Sequence, residues 1–352
     1  MRRIFLLCTA GIAISAFTLM GPAQKASADG PYRVLKTVKV GGAGTFDTAC
    51  ADVEGRRLYI PRKNPGRITV FNLDTLEPAG EIPNAAANGV VIDTKSGHGF
   101  AGSKPVVMWD TKTLKTIKTI DVQGGPDAVL FDPFNERAWI FSHTAPHATV
   151  INAVDGSVLG TIDLGGMPEQ AVTDDNGHVY VDIRDKDNVT VIDAKALTVS
   201  AHYDLGGKGG RCSGLAIDVK NHILFAACRE PQTMVMLNAG DGKIIDTLPI
   251  GAGVDSAIFN PKTMETYSAQ VDGTLTIVKE KSPTSFVVEE TVQTKPSAKQ
   301  MVWDSKTRRI LLIAADYEPA SAAAAAAPLA PGAAPARGPM VPDSFSVLVV
   351  GK

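Results

Sequence analysis

The sequence predicts an all-β fold, a seven-bladed β-propeller with four antiparallel strands per blade. Three observations carry that expectation. An aspartate or asparagine ends a short apolar run seven times, at Asp52, Asp93, Asp132, Asp174, Asp218, Asn260 and Asp304, at intervals of 41, 39, 42, 44, 42 and 44 residues. Within each interval, short β-rich runs alternate with Asp, Asn, Gly and Pro groups, the pattern of an antiparallel meander. A lone four-stranded sheet cannot bury both faces, so such a unit needs copies beside it, and this period is that of propeller blades.

The elements follow in order. Gly124 to Gly165 holds one whole unit: AVLF, AWIF, TVIN and VLGTIDL, separated by Asp132 to Asn135, His143 to His147 and Asp155-Gly156. Second strands recur as RRLYI (56–60), HGFAG (98–102), RAWIF (137–141), HVYVD (178–182), HILFA (222–226), ETYSA (265–269) and RILLI (309–313). Third strands recur from ITVFN (68–72) to SVLVV (346–350). The last unit ends without a fourth strand, and VLKTVKV (34–40) supplies a copy of the KTIKTIDV pattern (115–122). The last blade is therefore expected to be closed by this N-terminal strand, which removes the open sheet edges. One segment departs from the period: 317–343 is an insertion rich in Ala and Pro, read as disordered because its prolines interrupt the alanine run.

Composition sets further bounds. Hydrophobic residues make up 44% of 352, enough for a sizeable core, and the formal charge is −2. Residues 1–28 read as a cleaved signal peptide: Arg2-Arg3, an apolar stretch from Ile4 to Leu19, and Ala26-Ser27-Ala28 before Asp29. That leaves 29–352 as a single propeller domain, exported to the periplasm or secreted. Loss of Arg2, Arg3 and Lys25 takes the charge from −2 to −5, which argues against the broad positive field of a dedicated nucleic-acid binder.

The repeat unit, with Asp174-Asp175-Asn176-Gly177-His178-Val179-Tyr180-Val181, Asn188-Val189-Thr190-Val191-Ile192-Asp193 and Gly55-Arg56-Arg57-Leu58-Tyr59-Ile60, resembles the YVTN-type repeat of YncE-like β-propellers. The resemblance covers essentially the whole mature chain and is specific for fold. It implies a surface or periplasmic propeller and raises single-stranded DNA binding as one role. The asparagine typical of the second-strand end is replaced here by Arg62 or Lys63, Arg184 and Cys228.

The repeat frame also predicts a site. The first strand of each blade runs nearest the channel, and its starting residue lies five before the aligned Asp or Asn. Those residues are Asp47, Asn88, Asp127, Glu169, Ser213, Asp255 and Lys299, all polar. The second strand returns to the same face, where Arg62, His143, Arg184 and Arg229 fall fifteen or sixteen residues later. One mouth should thus gather acids near the axis and bases just outside them, a set suited to a small polar ligand or a protein partner. Mutual pairing of these charges along the channel wall is the competing structural reading. No resident cofactor is expected, although a divalent cation held by channel carboxylates stays open. The aligned Asp and Asn series is read as turn-forming. Cys50 occupies a position where other blades carry Val, Leu, Ala or Ile, and is read as core. Cys212 and Cys228 fold opposite one another across a hairpin, either as a disulfide or as free thiols.

Nothing resembles a nucleophile set or a phosphate-cradling loop. The leading expectation is an exported, monomeric, non-catalytic binding scaffold acting through its channel mouth. The alternatives are a metal-dependent lactonase-type hydrolase using channel carboxylates, by analogy of fold, and single-stranded DNA binding through Arg62, Lys63, Arg184 and Arg229. The scarcity of aromatic residues argues against the last.

Overall fold

A computed structural model describes residues 31–322 and 336–352. The expected leader (1–28) and the central part of the Ala/Pro-rich stretch lie outside the described residues. Within them the chain forms seven four-stranded antiparallel sheets arranged as blades of a ring. Blade 3 is typical: Pro126–Asp132, Arg137–Ser142, Ala148–Asn152 and Val158–Ile162 lie side by side in chain order. Blades 1, 2, 4, 5 and 6 repeat that order, starting at Cys50–Asp52, Val90–Asp93, Pro168–Thr173, Gly214–Asp218 and Val254–Asn260.

Blade 7 departs from chain order, as the sequence predicts. Gln300–Asp304, Arg309–Ala314 and Ser346–Gly351 are joined by Arg33–Lys39 as the outer strand. The register runs from Arg33 opposite Gly351 to Lys39 opposite Ser346, with one irregularity between Val34 and Lys36. Of the 317–343 stretch, the described ends pair through an antiparallel bridge between Tyr317 and Met340.

The apolar residues sort into seven clusters, one in each gap between neighbouring blades. Both faces of a sheet are therefore buried, and the middle strands read as unbroken apolar runs. Ile223–Arg229, for example, is buried at every position but the last. Fourth strands face solvent instead; Thr116–Ile120 is exposed except at Ile120.

The aligned Asp and Asn residues do accept backbone N–H groups in the turn that follows. Gly55 donates to Asp52, Lys95 to Asp93, Phe134 to Asp132, and Asn176 and His178 to Asp174. Lys220, Lys262 and Lys306 do the same for Asp218, Asn260 and Asp304. This is the Asx-type turn that fixes where each first strand stops.

Two polar devices lock the closing blade. Arg56 of blade 1 donates from both terminal nitrogens to the Asp304 carboxylate, at 3.0 and 2.7 Å. On blade 6, Glu265 gathers four donors: Tyr32 Oη at 2.5 Å, Thr263 Oγ1 at 2.7 Å, Tyr267 Oη at 2.8 Å and Lys352 Nζ at 3.1 Å. Tyr32 immediately precedes the closing strand, and Lys352 follows its partner strand. One buried carboxylate thus holds both strands of the seam against blade 6.

Burial alone would push the Glu265 carboxyl up, but the hydrogen bonds from Tyr32, Thr263, Tyr267 and Lys352 bring it down to about 2. A depressed acid stabilises the fold above its unfolded value and loses that contribution as pH falls. Stability should accordingly drop between pH 4.5 and about 2. Glu265→Gln should destabilise the fold at pH 7 by about 2–4 kcal/mol, given the donors left unpaired in a buried site, lowering the urea midpoint, and should flatten that acid limb. Urea melts of both proteins at pH 7, 4 and 3 measure it.

Candidate functional site

At one mouth of the channel the first strands begin, and the second strands return beside them. There the structure brings together ten of the eleven residues assigned to the mouth from the sequence, in two charged groups and a lining hydroxyl. The first group spans blades 2 to 4. Asn88 Nδ2 donates to Asp127 Oδ1 at 2.8 Å and to the Pro126 carbonyl at 3.2 Å. His143 Nε2 lies 3.1 Å from Asp127 Oδ2 and 3.4 Å from Glu169 Oε1. Arg184 Nη1 donates to Glu169 Oε1 at 2.9 Å.

The second group spans blades 5 to 7 and blade 1. Arg229 Nη2 and Lys299 Nζ each pair with an oxygen of Asp255. Lys299 Nζ lies 3.9 Å from Asp47 Oδ2. Gln300 Nε2 reaches Asp47 Oδ1 at 2.6 Å and Asp255 Oδ2 at 2.9 Å. Ser213 lies between the groups; its hydroxyl is buried and makes no hydrogen bond among the described residues.

A cavity of about 250 Å³ opens between the groups, lined at the mouth by Asp47, Asp127, Glu169, Ser213 and Asp255, and more deeply by Cys50, Ile258 and Trp303. Cys50 thus borders the channel; burial pushes its thiol up to about 12.

Arg62 is the exception. It was expected at the rim, but it is 1% exposed and its guanidinium lies 3.3 Å above the Phe345 ring. Its Nη2 donates to the Gly41 carbonyl at 3.2 Å and its Nε to Thr69 Oγ1 at 3.3 Å. The connection leaving the closing strand passes over this position, so the side chain is a packed cation–π partner rather than a mouth ligand. Burial, then the nearby Arg67, lowers its pKa to about 10.

Three polar residues escaped the sequence reading. Gln170 bridges blades across the channel: its Oε1 accepts from Leu215 N and Ala257 N, and its Nε2 donates to Ala257 O at 2.9 Å. Gln300 ties Asp47 to Asp255. Both sit one residue after a strand start, where other blades carry Thr48, Gly89, Ala128, Gly214 and Ser256; polarity at that offset was the available signal. Asp182, in the second strand of blade 4, is fully buried, with neither carboxylate oxygen hydrogen-bonded among the described residues. Burial, reinforced by Glu169, pushes its carboxyl well up.

Cys212 and Cys228 are joined as a disulfide across blade 5. His147, four residues beyond His143, pairs with Asp163 at 2.5 Å.

No family model and no curated protein matches the chain. Solved structures do. A chain of a mitotic checkpoint complex aligns with a TM-score of 0.70 at 12% identity, covering 86% of this chain and 96% of that one. Hydrazine synthase of Kuenenia stuttgartiensis aligns with a TM-score of 0.59 at 16% identity, covering 67% of this chain and 84% of that one. At these identities the likeness shows the propeller fold alone.

The electrostatics of the mouth separate its acids. Burial pushes the Asp47 carboxyl up to about 7; Lys299 opposes this, while Asp255, Asp127 and Glu169 add to it. Asp255 is more deeply buried, 8% of its side chain being exposed against 34% for Asp47, yet Lys299 and Arg229 hold it below the ordinary carboxylate range. Asp127, then Glu169, raise the His143 imidazole to about 10. The mouth therefore carries near-balanced charge at neutral pH, with Asp47 the group that titrates there.

An acid raised in the folded state costs stability as pH rises from its unfolded value to its folded one. Asp47→Asn removes that cost. Its stability relative to the unsubstituted protein should climb between pH 3.8 and about 7 and level off above. Urea midpoints at pH 4, 5.5, 7 and 8 report it; parallel curves for the two proteins would count against a raised Asp47.

Proposed function

We propose that the protein is an exported, monomeric, non-catalytic propeller that binds a small polar ligand in its channel mouth. The supporting observation is the convergence of Asp47, Asp127, Glu169 and Asp255 on one cavity, with Arg184, Arg229 and Lys299 paired to these acids. Four acids and their basic partners, drawn from six of the seven blades, form a concave polar surface with donors and acceptors in close alternation. At about 250 Å³ the cavity lies just below the range of about 300–1,000 Å³ usual for small-molecule sites, which suits a compact polar molecule better than a polymer. The leader-like residues 1–28 and the resemblance to YVTN-type repeats support export.

The nucleic-acid alternative draws less support. Arg62 is buried, and Arg184 and Arg229 are paired with Glu169 and Asp255, so the bases invoked for phosphate contacts are largely neutralised. A basic-rim model would require strongly salt-dependent binding. The metal-dependent hydrolase alternative rests on one grouping, His143 with Asp127 and Glu169.

A thermal-shift panel of amino acids, polyamines, sugars and sugar acids tests the reading on the mature chain. A binder at 100-fold its Kd contributes about 2.7 kcal/mol, a shift of several degrees. The expected result is a compound that raises the melting temperature of the native protein and leaves that of the Asp47→Asn/Glu169→Gln double variant unchanged. A cationic binder should tighten as pH rises through 7, because Asp47 gains its charge there. A panel that shifts neither protein, or shifts both alike, removes the mouth as the ligand site.

A further inference from the structure

We propose that His143, Asp127 and Glu169 form a binding site for a first-row divalent metal ion at the rim of the channel, with one position left open toward the cavity. The ligand atoms come from three places in the fold: the start of blade 3, the loop after its second strand, and the start of blade 4. One nitrogen and two carboxylate oxygens lie within 4.8 Å of one another.

The edge lengths carry the argument. A metal about 2.1 Å from each ligand sets neighbouring ligand atoms about 3.0 Å apart in an octahedron and about 3.4 Å apart in a tetrahedron. His143 Nε2 stands 3.1 Å from Asp127 Oδ2 and 3.4 Å from Glu169 Oε1. A second feature concerns the nitrogen itself. His143 Nε2 is shielded from solvent and makes no hydrogen bond among the described residues, although both carboxylates stand within 3.4 Å of it. An ion on the nitrogen lone pair, replacing the Nε2 proton, gives this buried atom a partner.

The surroundings fit as well. Asn88 fixes the far oxygen of Asp127, and Arg184 donates to Glu169 Oε1, the oxygen that faces His143; hydrogen bonds of this kind orient metal ligands. An imidazole in the set favours zinc over manganese, calcium or magnesium, which prefer oxygen ligands. Two carboxylates, Arg184 and a doubly charged ion sum to one positive charge, so the open position suits an anionic oxygen donor such as a carboxylate. This inference stands apart from the small-ligand reading, since retention of metal without any organic molecule supports it alone.

Equilibrium dialysis of chelator-treated mature protein against Zn2+, followed by metal analysis, tests it. The expected result is one Zn2+ per chain, with Mn2+ bound more weakly and Ca2+ or Mg2+ in excess failing to displace it. His143→Gln and Asp127→Asn should each weaken binding by more than about 100-fold, above the loss typical of an outer-shell partner, while His147→Gln should bind as the unsubstituted protein does. Circular dichroism checks that each variant folds. Visible absorption of the Co2+-loaded unsubstituted protein reports mixed nitrogen and oxygen ligation without any variant. No retained Zn2+, retention undiminished in both ligand variants, or equal loss in His147→Gln would each overturn the site.

Discussion

The structure depends on closing the ring. Every blade is a sheet with two apolar faces, and each face is buried only because another blade lies against it. A propeller therefore has no independent unit smaller than the whole circle. In this chain the circle is completed by Arg33–Lys39 pairing with Ser346–Gly351, and the clusters on either side of blade 7 rely on that strand staying in place. The polar clasp follows from the same constraint. Glu265 sits where Tyr32 and Lys352 both reach it, and Arg56 bridges blade 1 to Asp304 across the seam. Buried hydrogen bonds to a charged group are directional as well as strong, so they fix register where apolar packing alone would tolerate a slip.

Closure also creates the mouth. Bringing seven strand starts to one axis forces their polar residues within a few ångströms of one another, in a setting where water screens poorly. The chain resolves this by pairing acids with bases from the neighbouring second strands. Asp255 takes two cationic partners and stays ionised. Asp47 has Lys299 at 3.9 Å and the Gln300 amide, so burial keeps its carboxyl high. The same residue type at the same repeat position thus has opposite behaviour, decided by what stands across the channel. Uneven pairing leaves the mouth responsive to charge near neutral pH, while Asp182, buried behind it without a hydrogen-bond partner among the described residues, has its carboxyl pushed well up.

Much of this was legible in the residues. The interval between turn-forming Asp and Asn residues gave blade number, strand order and the identity of the closing strand. The same frame brought Asp127, Glu169, Asp255 and Lys299 to one end of the channel, because a strand's direction and length follow from its pattern. The frame could not assign partners. It treated Arg62, Arg184 and Arg229 as equivalents, yet Arg62 lies under the connection at Gly41 and against Phe345. That connection exists only at the seam, where the repeat is interrupted by closure. Gln170 and Gln300 were overlooked for a related reason: their hydrogen bonds run to other blades, Gln170 to blades 5 and 6 and Gln300 to blades 6 and 1.

The sequence by itself determined the repeating sheet, its seven copies and the end of the ring where charge collects, since these depend on local periodicity and turn chemistry. Only the tertiary structure decided which charges pair, which base is buried and which carboxyls are pushed up. Those outcomes depend on distance and solvent exclusion between blades far apart along the chain. The approach of His143 to both Asp127 and Glu169 belongs to this second kind, being set by how blades 3 and 4 meet rather than by any spacing in the sequence.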